Sequence, residues 1–410
     1  MKILVLNAGS SSLKSHLYDV GWLPVDPPAP LWRLHIDWSR RDTPAEVRIE
    51  TSSGAAQERE VPVDRLRQEF SLLLATLWTG GTRVIAGPSE VGAVGHRVVH
   101  GGETFRESTR ITPEVTREIA RLSVFAPAHN PIEFSVIEAT ELILGGEVPE
   151  VAVFDTAFHT SLPPAAYLYG GPYDWVEQGI RRYGFHGISH QYVARRAAQM
   201  LGKDPAALRL VTCHLGNGCS LAAIRGGRSV DTTMGFTPLD GLIMGTRSGS
   251  VDPGILIHLL RHGGYDADRL DRVLNRESGL KGLSGVSSDM REIEAAMAGG
   301  HVRAQQAFDA FIHRLRGGTS AMAAALGGLD ALVFTAGIGE NSATVRASTC
   351  EGLAFLGVKL DAERNVTSPS DQDIAAEDSP VRVLVIHTQE DWEIARECFR
   401  LIAPVQAEKS

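Results

Sequence analysis

LRLVTCHLGNGCSLAAIRGG (residues 208–227) reads as an apolar strand, a Gly-rich polar turn and a second apolar strand. The chain opens on the same device. KILVLNAGSSSLKSHLYDV (residues 2–20) is a buried apolar run, a turn holding Gly9 and a row of hydroxyls, and a returning strand. A third variant, LDALVFTAGIGENS (residues 329–342), drives an apolar strand into a Gly-rich turn that opens a helix. Two related strand–turn–strand units, one early and one mid-chain, imply two domains of similar topology facing each other across a cleft. The fold class expected is α/β with mixed sheets, and 410 residues are enough for each domain to bury its own core.

Between these units, residues 21–65, with GWLPVDPPAP, read as irregular strands and loops on the surface. Pro113 to Val124 and Glu133 to Leu144 have helical spacing. VPEVAVFDTAFH is an apolar strand ending on a carboxylate, and Ser189 to Leu201 a helix with Ser189 as candidate N-cap. Glu390 to Leu401 reads as a terminal helix that returns to the first domain.

Hydrophobic residues make up 43% of the chain and charged residues 22%, as in ordinary soluble globular proteins. A net charge of −9 argues against a general nucleic-acid or anionic-membrane surface. Only six of the 40 basic residues are lysines, so an anion site must rely on arginine. Cys213, Cys219, Cys350 and Cys398 show no metal-binding or disulfide spacing, which suits reduced thiols. With no secretory h-region and no long uncharged apolar run, a cytoplasmic location is expected.

One Gly-rich hairpin is ordinarily just a tight turn. Three, each at the end of an apolar strand, suggest backbone N–H groups and hydroxyls cradling phosphate oxygens. The chain contains no G-x-x-x-x-G-K-[ST] and no G-x-G-x-x-G after the first strand, which disfavours P-loop and Rossmann sites.

Nine segments together carry a resemblance: NAGSSSLK (Asn7–Lys14), GHRVVHGG (Gly95–Gly102), HNP (His129–Pro131), VFDTAFH (Val153–His159), RRYGFHGISH (Arg181–His190), HLGNGCS (His214–Ser220), MGFTPLDGLIMGTRSG (Met234–Gly249), GVSSDMREI (Gly285–Ile293) and FTAGIGENSATVR (Phe334–Arg346). In this order, over nearly the whole chain, they resemble acetate kinases, which belong to the superfamily of sugar kinases, heat-shock chaperones and actin. The resemblance implies two duplicated actin-like, ribonuclease H-like domains closing over ATP. One would span residues 1–155 plus 391–410, for the acyl and phosphate groups. The other, 156–390, would bind nucleotide and form a homodimer. The implied reaction is reversible, direct in-line transfer of the ATP γ-phosphoryl to acetate, giving acetyl phosphate and ADP with Mg²⁺ or Mn²⁺.

A carboxylate acceptor is already ionised at neutral pH and needs no general base. Its difficulty is electrostatic: at about 4 Å two like charges repel by roughly 4 kcal/mol at an effective dielectric near 20. Fixed cations and a metal ion answer that problem. By resemblance, Arg97 and Arg247 flank the carboxylate and the transferring phosphoryl group, where the guanidinium fork fits both. His186 donates to the equatorial oxygens of the transition state. His129 joins the catalytic group, while His129, His190 and His214 also hold the site in shape. Asp155 orients the acyl group or the metal shell, the plain alternative being a strand-end carboxylate that caps a helix.

Asn7, Ser10, Ser12 and Lys14 form the implied first phosphate loop. His214, Gly216, Asn217 and Gly218 form the second. Asn7 and Glu390 are the implied metal ligands, Glu390 through water, with Asp391 as fallback because IHTQEDWEIARE departs from the family pattern. Gly337, Ile338, Gly339 and Asn341 take the adenosine, and Asp289, Met290 and Arg291 lie along the ribose. Asp289 or Ser288 equally reads as a helix N-cap.

Val99, Ala128, Phe185 and Pro238 line the implied acyl pocket. Ala128 stands where the family has Leu, which would enlarge the pocket towards propionate or butyrate. Other readings are a sugar or glycerol kinase of the same superfamily, which needs a carboxylate base for a hydroxyl, and a catalytically inactive actin-like nucleotide-binding module. Ser15, where an aromatic is usual, alters packing under the first loop.

Overall fold

The computed structural model describes residues 1–9, 12–38, 43–126, 130–367 and 371–403, which form two compact units. Unit 1 is Met1–Ala157 together with the C-terminal segment from Gln389, and unit 2 is Phe158–Thr388.

Unit 1 is built on an eight-stranded sheet of order β5-β4-β3-β2-β1-β6-β8-β7. Its strands are β1 (Lys2–Ala8), β2 (Ser12–Asp19), β3 (Trp32–Asp37), β4 (Ala45–Thr51), β5 (Ala56–Val61), β6 (Val91–Val98), β7 (Thr109–Arg110) and β8 (Glu150–Phe154). β1 and β2 form the opening hairpin, pairing Asn7 with Lys14, and β6 and β8 run parallel to β1. The apolar runs of β1 and β8 are buried almost throughout, as expected of strands covered on both faces.

β3 and β4 instead alternate buried and exposed residues, with Trp32, Leu34 and Ile36 facing Val47 and Ile49 across the core side. Residues 21–65 are therefore not irregular: they hold a three-strand antiparallel meander that extends the sheet. Phe70, Leu73 and Leu74 of the helix Leu66–Ala75 complete that core. Against β1 and β6 lies the C-terminal helix Glu390–Ile402. It approaches so closely that a β-carbon on Gly95 would fall 2.5 Å from Cys398 Sγ, so only glycine fits there. Trp392 is buried beside Tyr18, with ring centroids 5.5 Å apart.

Unit 2 repeats the scheme on a six-stranded sheet of order β11-β10-β9-β12-β14-β13. Here β9 (Arg209–Leu215), β10 (Cys219–Arg225) and β11 (Arg228–Thr232) form the meander, and β12 (Ala331–Thr335) and β14 (Arg382–Val385) run parallel to β9. β13 (Gln372–Asp373) closes the edge antiparallel to β14, as β7 does to β8. Three antiparallel strands, two parallel ones and an antiparallel edge recur in the same spatial order, so the duplication expected from the turns is visible as topology. The helices Gly187–Leu201 and Val302–Leu326 pack against this sheet.

The expected N-cap at Ser189 is corrected by the structure. The helix starts at Gly187 after His186, and Ser189 lies inside the first turn, its hydroxyl bonded to His214 Nδ1 and Thr388 Oγ1. A tertiary hydrogen bond has claimed the side chain that capping would have used.

Candidate active site

In each unit the residues singled out by sequence gather at the carboxyl ends of the parallel strands, where open α/β sheets bind ligands. In unit 1 these are Asn7 on β1, Arg97 on β6 and Asp155 directly after β8. In unit 2 they are the β9–β10 turn and the start of the helix Ala336–Asn341 after β12.

Arg97 sends Nε and Nη2 to one oxygen of Asp155, Oδ2, at 3.2 and 2.6 Å, and Nη1 to the Ala8 carbonyl at 3.4 Å. Burial alone would lower the pKa of Arg97, but Asp155 first and Glu390 next outweigh it and drive it upward. The guanidinium therefore stays charged at every working pH. Asp155 is committed to an arginine.

Asn7 donates Nδ2 to Asp391 Oδ1 at 2.9 Å, and His16 Nδ1 lies 3.2 Å from Asp391 Oδ2. Burial would raise the pKa of Asp391, yet His16, Lys14 and Asn7 pull it down to about 2. Asp391 is thus tied into the wall. Glu390, the first residue of its helix and close enough to Arg97 to raise its pKa, is the better candidate to face a cation. Asn7, its amide nitrogen engaged, offers its oxygen. An oxygen pair of this kind fits a hard cation that keeps several waters and binds substrate phosphates. Among the described residues no group of three or more His, Cys, Asp or Glu could hold a metal alone. Lys14 is exposed and Ser12 half-buried on β2.

The segment after β6 is fixed by the helix Asn130–Leu144. Val99 N–H donates to Glu133 Oε2 at 3.0 Å, while the Asn130 side chain spans the His100 N–H and carbonyl, 3.3 Å from each. Glu133 is buried, and that burial, offset in part by Arg97 and the Val99 N–H, pushes its carboxyl up to about 8. Sequence reasoning missed Glu133, because a glutamate on a helix carries no signal of burial. Ser10, Ala128 and His129 lie outside the described residues.

In unit 2, Gly218 sits against both expected catalytic groups: a β-carbon there would lie 3.3 Å from Arg247 Nη1 and 3.3 Å from His186 Nε2. Arg247 Nη1 donates to the Pro238 carbonyl at 3.3 Å, joining a cation to a residue of the expected acyl pocket. Phe185 is fully buried, and its carbonyl accepts from His159 Nε2 at 3.0 Å. Burial holds His159 down to about 4, so at neutral pH its ring is neutral. His186 has φ 56°, a left-handed backbone rare for a residue with a β-carbon. Its ring stacks on His214, with centroids 4.1 Å apart. Asn217 accepts Gly245 N–H at its carbonyl, 3.0 Å, and Gly216 N–H closes the turn on Gly218 O.

The turn after β12 is held by Glu340, whose Oε1 accepts from Ala336 N–H at 2.7 Å and Thr388 N–H at 3.1 Å, while Oε2 meets His387 Nδ1 at 2.5 Å. Ala336 is left-handed, φ 64°. A β-carbon on Gly337 would meet nothing within 4 Å, and Asn341 Nδ2 returns to its carbonyl at 2.8 Å. Ile338 is half-buried on this short helix, and Gly339 is buried against Phe334. Asp289 caps the helix Met290–Ala298 through Arg291 N–H and forms an ion pair with the Arg291 side chain, while Met290 is buried.

The sequence model of the Acetokinase family matches residues 2–396. The chain belongs to that family. It is 61% identical over 402 residues to the acetate kinase of Gloeobacter violaceus, covering 98% of this chain and 99% of that protein. Among solved structures it is similar to the acetate kinase of Porphyromonas gingivalis, with a TM-score of 0.87 and 40% identity over 98% of this chain and 99% of that one. A propionate kinase from Francisella tularensis also gives a TM-score of 0.87, at 36% identity over 97% and 99% of the two chains. Membership of the acetokinase family, and the mixed α/β fold it implied, stand as expected.

Proposed function

We propose that the protein is an acetate kinase, transferring the γ-phosphoryl group of ATP to acetate by direct in-line displacement. The observation that carries this reading is the pairing of Asp155 with Arg97. A sugar or glycerol kinase needs a carboxylate base for a hydroxyl acceptor, and a charge-paired carboxylate is a poor base. A permanent cation is what an ionised acceptor requires.

In this reading unit 1 contributes Arg97 to the acceptor carboxylate, with Val99 as apolar wall. Unit 2 contributes Arg247 and His186 to the transferring phosphoryl group, Phe185 and Pro238 to the acyl side, and the Gly216–Gly218 turn to the phosphates. Ser12, Lys14 and His214 support the phosphate loops. Gly337–Asn341 and Asp289–Arg291 receive the nucleoside, Asp289 keeping its capping role. Asn7 and Glu390 would hold Mg²⁺, which would supply neutralisation of phosphate charge there. The 34 arginines and six lysines suit this division of labour.

Unit 2 is also our candidate for a homodimer interface. Its helix Pro253–His262 has no buried residue, and Ile255, Ile257 and Leu260 are about half exposed. A cytoplasmic location is consistent with four buried free cysteines. No helix among the described residues is long and apolar enough to cross a membrane.

The test is hydroxylamine trapping of acyl phosphate with ATP, Mg²⁺ and one acid at a time. Acyl hydroxamate from acetate supports the proposal; ATP binding without product from any acid favours the inactive-module reading.

A further inference from the structure

A line of hydrogen bonds runs away from His186 into the core of unit 2. His186 Nδ1 meets Ser220 Oγ at 2.9 Å, Ser220 Oγ meets His190 Nε2 at 2.8 Å, and His190 Nδ1 meets Thr212 Oγ1 at 2.7 Å. Ser220, His190 and Thr212 are wholly buried. Burial, with His159 and His214 adding to it, keeps His190 well below its ordinary pKa, so its ring is neutral and has one N–H and one bare nitrogen. Each hydroxyl has a single proton to give. Only two proton orders satisfy these bonds.

In the first order His190 donates from Nδ1 to Thr212. The Thr212 proton must then go to the Ala222 carbonyl, 3.5 Å away and at the edge of hydrogen-bonding distance. Ser220 donates to His190 Nε2 and can only accept from a proton on His186 Nδ1. In the second order Thr212 donates to His190 Nδ1, His190 Nε2 donates to Ser220, and Ser220 donates to His186 Nδ1. Every proton in the second order occupies a bond of 2.9 Å or less.

We infer that Ser220 delivers its hydroxyl proton to His186 Nδ1, so that the Thr212–His190–Ser220 relay holds His186 as the neutral tautomer protonated on Nε2. That nitrogen lies on the Gly218 side of the ring, where a β-carbon on Gly218 would be 3.3 Å from it and 3.3 Å from Arg247 Nη1. His186 is thereby a ready hydrogen-bond donor without being an imidazolium, and a donor aimed at Nδ1 opposes its protonation. The charged and titratable groups around the relay act the same way. Arg247 beyond Gly218 repels a second positive charge, while His214 stacked on the ring and the neutral rings of His190 and His159 behind it offer no negative charge to hold one. Ser220, His190 and Thr212 are positioning residues. Their bearing on turnover rests on the phosphoryl role proposed for His186; the tautomer itself does not.

Correlated ¹H–¹⁵N spectra of the full chain, ¹⁵N-labelled in histidine, test this at about pH 7.5. The His186 signals are identified by their loss in His186→Asn. The inference expects a protonated Nε2 and a bare Nδ1; a proton on Nδ1, alone or in a doubly protonated ring, overturns it. Ser220→Ala is expected to raise the pH at which His186 protonates and to lower kcat about tenfold, with KM for ATP little changed. A Ser220→Ala protein whose His186 titrates as in the parent contradicts the inference. Because the tautomer is read without substrate, a protein that makes no acyl phosphate would overturn the proposed function and leave this result standing.

Discussion

Arg97 Nη2 lies 2.6 Å from Asp155 Oδ2, joining the ends of β6 and β8 through a pair in which the carboxylate is almost wholly buried. Removing one member of such a pair strands the other in a low-dielectric site. Asp155→Ala is expected to cost about 3 kcal/mol of stability and to abolish acyl phosphate formation. The unfolding midpoint in denaturant and the hydroxamate assay measure both. Unchanged stability would mean that water already screens the pair.

Glu133 gives a pH dependence of defined sign. Its carboxyl is raised from an ordinary value of 4.5 to about 8, by burial above all. A raised acid favours the protonated folded state, so its contribution is complete below pH 4.5 and is lost as pH rises towards about 8. Glu133→Gln keeps an acceptor for Val99 N–H and cannot ionise. Its stability relative to the parent should therefore climb between pH 4.5 and about 8 and then level off. A pH-independent difference in unfolding free energy would refute this.

Ala336 holds a left-handed backbone, φ 64°, at the mouth of the expected adenosine turn. For a residue with a β-carbon this costs about 1 kcal/mol. Ala336→Gly should raise the unfolding free energy by about that amount, because Glu340 still takes the N–H. A drop would show that the conformation is unstrained.

The duplicated hairpins were legible because the chemistry of an anion-binding turn and the burial of its strands leave the same mark, small residues between apolar runs. Arg97, Asp155, His186 and Arg247 could be named because the segments that carry them resemble those of acetate kinases. The meander of residues 32–61 was hidden by its Pro-rich approach and by the charged residues on its exposed face. Ser189 was misread as a cap because its real partners, His214 and Thr388, are distant in sequence. For the same reason the service of Ser220 to two histidines had no local signature, although it stands in the HLGNGCS segment.

Ala128 bears on substrate choice. If its small side chain widens the acyl pocket, Ala128→Leu should shift the kcat/KM ratio of acetate to propionate towards acetate by about tenfold or more. An unchanged ratio would mean that neighbouring side chains fill the space.

This chain is expected to phosphorylate a small carboxylate. The measurement that tests this most directly is hydroxamate formation from acetate with ATP and Mg²⁺, run beside Arg97→Ala and Arg247→Ala. Product is expected from the parent chain, with a loss of about two orders of magnitude or more in each variant, since in the proposed reading Arg97→Ala removes a preorganised charge at the acceptor carboxylate and Arg247→Ala one at the transferring phosphoryl group. Sustained product in both variants, or none from the parent while it still binds ATP, would contradict it.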